Sequence, residues 1–218
     1  MKLALTLFLI FMLLQTATVI LIWPAWKRAA NSYRPMLIFL LVNFLFELLQ
    51  FFVPGRPFVY FSTSTLQYLF TLLMLIWQAE QWHVFDKRPW LYKFCFALVV
   101  AGWIMELFTR HPEQGSTSWY YVISSLGIAL MAIEMLNRNM PWSGMQFSRN
   151  PVFLFSAGLI FSFSLSGMMD LFTVSLLNSN RENLTEMYYF YISLGILTQV
   201  LYIRSVSVIP NREIHVFN

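Results

Sequence analysis

The stretch LALTLFLIFMLLQTATVILIW, Leu3–Trp23, decides the class of fold. It is 21 residues long and carries no charged side chain. An α-helix rises about 1.5 Å per residue, so the run covers the roughly 30 Å of hydrocarbon in a bilayer. A secretory leader has an apolar segment of only about 7–15 residues, followed by small residues at a cleavage site. Neither feature fits here, so the run reads as a first membrane span and not as a signal peptide.

Six more runs of comparable length follow. The seven expected spans are Leu3–Trp26, Met36–Val53, Val59–Trp82, Leu91–Thr109, Trp119–Leu136, Val152–Leu177 and Thr185–Val206. Between them lie Lys27–Pro35, Pro54–Pro57, His83–Pro89, Arg110–Ser118, Asn137–Pro151 and Asn178–Leu184, rich in Pro, Gly, Asn and charge as loops are. Composition agrees. Of 218 residues, 58% are hydrophobic and 11% charged, less than half the charge of an average soluble domain. The fold class predicted is an all-α, polytopic membrane bundle of seven transmembrane helices in a single domain, 1–218, with lipid as its solvent.

The net charge of +4 does not point to nucleic acid, because the basic residues sit in short loops between apolar runs. One set of loops and span ends holds Lys27, Arg28, Arg34, Lys87, Arg88, Lys93, Arg138, Arg149, Arg204 and Arg212; the other holds Lys2, Arg56, Arg110 and Arg181. The richer side is cytoplasmic by the positive-inside rule. The expectation is a multi-pass protein of the inner (cytoplasmic) membrane, N-terminus outside and C-terminus inside. Cys95, the single cysteine, lies in an apolar run and reads as a small buried hydrophobe.

Short words recur along the chain. Met105-Glu106-Leu107-Phe108-Thr109 matches Met169-Asp170-Leu171-Phe172-Thr173. Tyr120-Tyr121 with Ser125-Leu126-Gly127-Ile128 matches Tyr188-Tyr189 with Ser193-Leu194-Gly195-Ile196. A fainter copy pairs Ser62-Thr63-Ser64 with Ser116-Thr117-Ser118. These matches suggest one leading helix plus three repeated helical hairpins in parallel orientation.

Acids inside spans are the sharpest chemical feature. Glu47, Glu106 and Asp170 lie toward the outer ends of spans two, four and six. A carboxylate in hydrocarbon is costly, so each should face the bundle and find a partner or a proton. If the three converge they form one ligand, cation or proton site, with Gln50, Gln67, Asn43, Tyr121 and Tyr189 as hydrogen-bond partners. The alternative is three separate, protonated acids bonded to neighbouring helices. Gly158, Ser162 and Ser166, four residues apart, form a small-residue ridge for close helix packing or a dimer contact. Glu134 and Arg138 have ion-pair spacing. The histidines His83, His111 and His215 are scattered and offer at most two ligands each with a nearby acid, so no metal is expected. No cofactor is expected either. A retinal Schiff base would need a lysine in the last span, and the last lysine is Lys93. No nucleophile elbow, phosphate loop or His-Glu-x-x-His appears.

On Glu47 late in span two, Val59 to Gln67 entering span three, Asn150-Pro151-Val152-Phe153 opening span six and Ser166-Gly167 near its end, the chain resembles a set of uncharacterised seven-helix membrane proteins of Bacteroidota, roughly 200 residues long. The resemblance implies the fold and leans toward signalling. The loops are short, so a signalling role would act through a membrane protein partner or a homo-oligomer. Three functions follow: a sensory or accessory subunit with an outer-half acidic site, a small transporter or channel using the acids, or an intramembrane lipid-active enzyme.

Overall fold

A computed structural model describes residues 2–52, 57–109, 119–139, 147–176 and 181–210. Within them lie seven α-helices and no strand: α1 (Lys2–Arg28), α2 (Arg34–Phe52), α3 (Pro57–Gln81), α4 (Pro89–Thr109), α5 (Trp119–Asn139), α6 (Pro151–Leu176) and α7 (Arg181–Ser207). Short 3₁₀ turns, Asn31–Tyr33 and Phe147–Arg149, lead into α2 and α6.

Local chemistry sets the boundaries. Helices α3, α4 and α6 each begin on a proline that sequence reading assigns to the preceding loop. Proline has no N–H to leave unpaired in a first turn, and its fixed φ suits that position. Asn150 caps α6, its Oδ1 accepting from the Val152 and Phe153 N–H groups at 2.9 and 3.2 Å. Helix α5 runs three residues past its expected end, to Asn139. There Arg138 pairs with Glu134 at 2.6 Å, and Asn139 Nδ2 donates to the Met135 carbonyl. Just beyond the end of α3 at Gln81, His83 takes a positive φ of 58°. Its N–H donates to the Glu80 carbonyl and that of Val84 to the Ala79 carbonyl, the paired bonds of a Schellman stop.

Among the described residues, six segments are long and apolar enough to cross a membrane: Thr6–Arg28, Asn31–Phe52, Pro89–Thr109, Trp119–Asn139, Pro151–Met169 and Tyr189–Ser207. The remaining helix, α3, carries Ser64, Thr65, Gln67, Thr71 and Gln78 within its apolar run. Packing explains this composition. Ser64, Thr65, Thr71 and Gln78 are buried inside the bundle, while Leu9, Leu13, Ile20, Leu98 and Phe108 are exposed on its outside. Polar inside and apolar outside is the reverse of a water-soluble core and matches a bundle solvated by lipid.

Helices α1, α2, α3, α5, α6 and α7 form a closed ring, each packed on the next, with α7 returning to α1. Helix α4 leans on α3 from outside and buries no residue. One end of the bundle is basic. Arg28 at the end of α1 donates to the Val206 and Ser207 carbonyls at the end of α7 (3.3 and 3.1 Å), so these two helices run parallel. Arg204 reaches the Ser148 carbonyl before α6 at 3.2 Å. Gln78 of α3 accepts from the Met36 N–H and donates to the Ser32 carbonyl, both at 2.6 Å. It therefore caps the first turn of α2 from a neighbouring helix.

The three-hairpin repeat finds no support in this packing. Helices α2 and α3 pair closely, as do α6 and α7, but α4 scarcely touches α5, whose main neighbour is α6. Matched words also occupy unlike surroundings. A Cβ added at Gly127 would meet nothing within 4 Å, whereas one at Gly195 would lie 3.1 Å from the Phe11 ring. Helix α1, not a hairpin partner, sits beside α7 and dictates that difference.

Candidate functional site

Helix α2 carries Asn43, Glu47 and Gln50 at helical spacings of four and three, hence on one face. The facing helix α3 presents Ser64, Gln67 and Thr71 at the same kind of spacing. The two rows interlock. Gln50 Nε2 donates to Ser64 Oγ at 3.3 Å and to Gln67 Oε1 at 2.8 Å. Gln67 Nε2 donates to Asn43 Oδ1 at 3.2 Å, and Thr71 Oγ1 donates to the same oxygen at 3.4 Å. This ladder satisfies polar groups that would otherwise be costly away from water.

Beside the ladder lies a cavity of about 510 Å³, walled by residues of all six ring helices and none of α4. Helix α1 contributes Phe11, Gln15 and Thr18; α7 contributes Gly195, Thr198 and Gln199; α6 contributes Ser162 and Ser166. Gln15 donates a hydrogen bond to the Glu47 carboxyl group. Its own Oε1 is buried without a partner, as is Thr198 Oγ1. The Thr18 hydroxyl is committed to the Leu14 carbonyl of its own helix, 2.9 Å away. Among the described residues that line the cavity, Glu47 is the sole Asp, Glu, Lys, Arg or His.

The cavity occupies the half of the bundle away from the basic end. Toward that end, aromatic rings close it. Phe39 meets Phe155 edge-on at 5.4 Å, Phe155 meets Tyr202 at 5.7 Å, and Trp82 meets Phe155 at 6.1 Å. All four side chains are buried. Gly158 makes this floor possible. A Cβ there would stand 2.6 Å from Tyr202 Cε1, closer than any packed pair of carbons allows. Tyr68 and Tyr121 stack at 4.9 Å on one side, and the Ser125 hydroxyl lies 3.4 Å from the Tyr68 oxygen.

Of the residues singled out from sequence, Glu47, Gln50, Gln67, Tyr121 and Asn43 come together at this cavity. Glu106 is not among its lining residues; it sits on the outlying α4, close enough to Tyr120 to interact electrostatically. Tyr189 does not line it either, and its carbonyl accepts from the Ser193 hydroxyl at 2.8 Å. The side chain of Asp170 lies outside the described residues, as do His111 and His215. The ridge on α6 faces inward: Gly158 against Tyr202, Ser162 and Ser166 on the cavity, with Ser166 Oγ 3.3 Å from the Tyr191 hydroxyl. His83 and Asp86 form an exposed pair at 3.2 Å. No group of three His, Cys, Asp or Glu side chains that could hold a metal occurs among the described residues.

Sequence reading missed Gln15, Tyr68, Thr198 and Gln199. Attention to charge passes over neutral polar residues in the middle of apolar helices. A lone glutamine within Leu3–Trp23 was the available signal, since an amide there needs an interior partner. Compared with known protein families, curated proteins and solved structures, the chain matches none.

Proposed function

We propose that this chain is an integral membrane sensory or accessory subunit that binds a small ligand in the cavity around Glu47. The observation that carries the reading is the cavity itself. A volume of about 510 Å³ falls in the range of small-molecule pockets, and six helices contribute its walls. A ligand touching all six can bias the packing of the whole ring, which is what a two-state sensor requires. The interhelical loops are too short to hold an effector domain, and the output we propose is contact with another polypeptide in or on the membrane. The resemblance to the Bacteroidota set leans the same way. The basic end would face the cytoplasm and the cavity the outer half of an inner membrane, with α3 as a seventh span whose polar face is covered by its neighbours.

A small transporter using Glu47 as a cation or proton site is the second reading. A carboxyl group facing a cavity inside the helical bundle favours it. The ring cluster of Phe39, Phe155, Tyr202 and Trp82 opposes a continuous path.

Purification from native membranes tests the choice. A sensory subunit co-purifies with a membrane partner, and Glu47→Gln changes that association or its downstream output. A chain that elutes alone, and that carries proton or cation flux in liposomes lost in Glu47→Gln, replaces the sensor with the transporter.

A further inference from the structure

The charge and hydrogen-bond pattern of the cavity defines what it selects. We propose that its ligand is a small organic cation, an alkylammonium with an apolar body, whose N–H groups are held by the Glu47 carboxylate. The proposal rests on reading the cavity as a ligand site.

Charge is the first argument. The described lining holds one carboxyl group and no Lys, Arg or His, so an anionic ligand would meet repulsion and no counter-ion. Hydrogen-bond supply is the second. Gln50 commits its amide hydrogens to Ser64 and Gln67, and Gln67 commits one to Asn43. Gln15 directs an amide hydrogen at Glu47, leaving its Oε1 buried and unpartnered. Around Glu47 what remains is acceptor capacity, the rest of the carboxylate lone pairs and the Gln15 carbonyl, while the Thr198 hydroxyl and the Gln199 amide elsewhere on the wall can donate or accept. A donor-rich head group complements that capacity.

Wall chemistry separates an organic cation from a metal ion. Phe8, Phe11, Phe44 and Phe161 line the same space. Aromatic faces attract ammonium groups and bury the hydrocarbon attached to them. A bare metal ion would instead need several oxygen ligands closing on one point, while this cavity is about 510 Å³ with largely apolar walls. An ammonium group near Glu47 with a phenyl- or butyl-sized body toward Phe8 and Phe11 uses both halves of the surface.

The test uses the full-length protein in nanodiscs and three probes of nearly equal shape: 2-phenylethylammonium, 2-phenylethanol and 3-phenylpropionate. Binding is read by calorimetric titration and by the shift in thermal unfolding. The ammonium probe should bind saturably and raise the unfolding temperature. The alcohol should bind at least tenfold more weakly, and the carboxylate should not bind. Glu47→Gln should weaken the ammonium at least tenfold and leave the alcohol unchanged, while Glu47→Asp should recover part of the loss. Ser162→Phe, which places a bulky ring on the α6 wall of the cavity and leaves the Glu47 side chain in place, should abolish all saturable binding. Equal binding of alcohol and ammonium that Ser162→Phe abolishes would overturn the cation and leave the cavity as a site for a neutral ligand. Ammonium binding unchanged in Glu47→Gln would do the same. No saturable binding of any probe would remove both. Should Glu47→Gln fail to fold, the charge series on the unaltered protein decides alone.

Discussion

Replacing Gly158 by alanine isolates the contact on which the cavity floor depends. The added methyl carbon would lie 2.6, 3.1 and 3.2 Å from Cε1, Cδ1 and Cζ of Tyr202. Carbon atoms pack at about 3.5–4.0 Å, so the ring must move by about 1 Å. It has little room to do so, because Tyr202 is 5% exposed and lies against Phe39 and Phe155. Overpacking of this kind costs about 1–3 kcal/mol. Alanine returns about 0.5–1 kcal/mol through lower backbone entropy in a helix. The balance is a loss of about 0–2.5 kcal/mol, or up to roughly 10 °C at 2–4 °C per kcal/mol for a chain of this size. Gly127→Ala is the control: nothing lies within 4 Å of its would-be Cβ, so only the helix gain operates and the unfolding temperature should rise. Thermal unfolding of the detergent-solubilised protein, followed by fluorescence-detected gel filtration, measures both. In a Tyr202→Leu background the penalty of Gly158→Ala should shrink by about 1 kcal/mol, the coupling expected of touching residues. Gly158→Ala as stable as Gly127→Ala, or a penalty unchanged by Tyr202→Leu, would refute the close approach of α6 and α7 at the floor.

Three further outcomes are expected. Gln78→Leu keeps the volume but strands the buried Met36 N–H and the Ser32 carbonyl, so stability should fall by about 2 kcal/mol or more by the same unfolding assay; an unchanged midpoint would mean Gln78 does not cap α2. Asn150→Ala removes the cap of α6 and should cost about 1 kcal/mol, while Asn150→Asp, which still accepts from Val152 and Phe153, should cost far less. In a Cys95→Ser background, Lys87→Cys should react with an impermeant thiol reagent only after the membrane is opened, and Ser116→Cys should react in intact cells; the opposite pattern would invert the proposed orientation.

Much of the architecture was legible in the chain because lipid imposes a simple rule. Each crossing must satisfy its backbone internally, so length and apolarity mark the helices without reference to neighbours. All seven expected spans coincide with helices, and boundary errors arose at Pro57, Pro89 and Pro151, which punctuate a sequence yet open a helix comfortably. The repeat was a different matter. Matching words such as Ser125-Leu126-Gly127-Ile128 and Ser193-Leu194-Gly195-Ile196 record composition, while the environment of each word comes from whichever helix lies beside it.

For the site, the chain alone pointed to Glu47 and its amide neighbours, because an intramembrane acid is expensive wherever it sits and must have an interior partner. It could not say which acids share a space. That depends on how α4 leans outside a ring closed by α1 and α7, and this outlying position leaves Glu106 off the cavity lining. Nor could it show that Gln15 would share a cavity with Thr198, 183 residues further along the chain, as well as with Glu47. Hydropathy is a property of each segment and is written in order along the chain. Proximity between segments arises only from packing, where small residues such as Gly158 and Gly195 decide which helices approach closely enough to enclose a cavity.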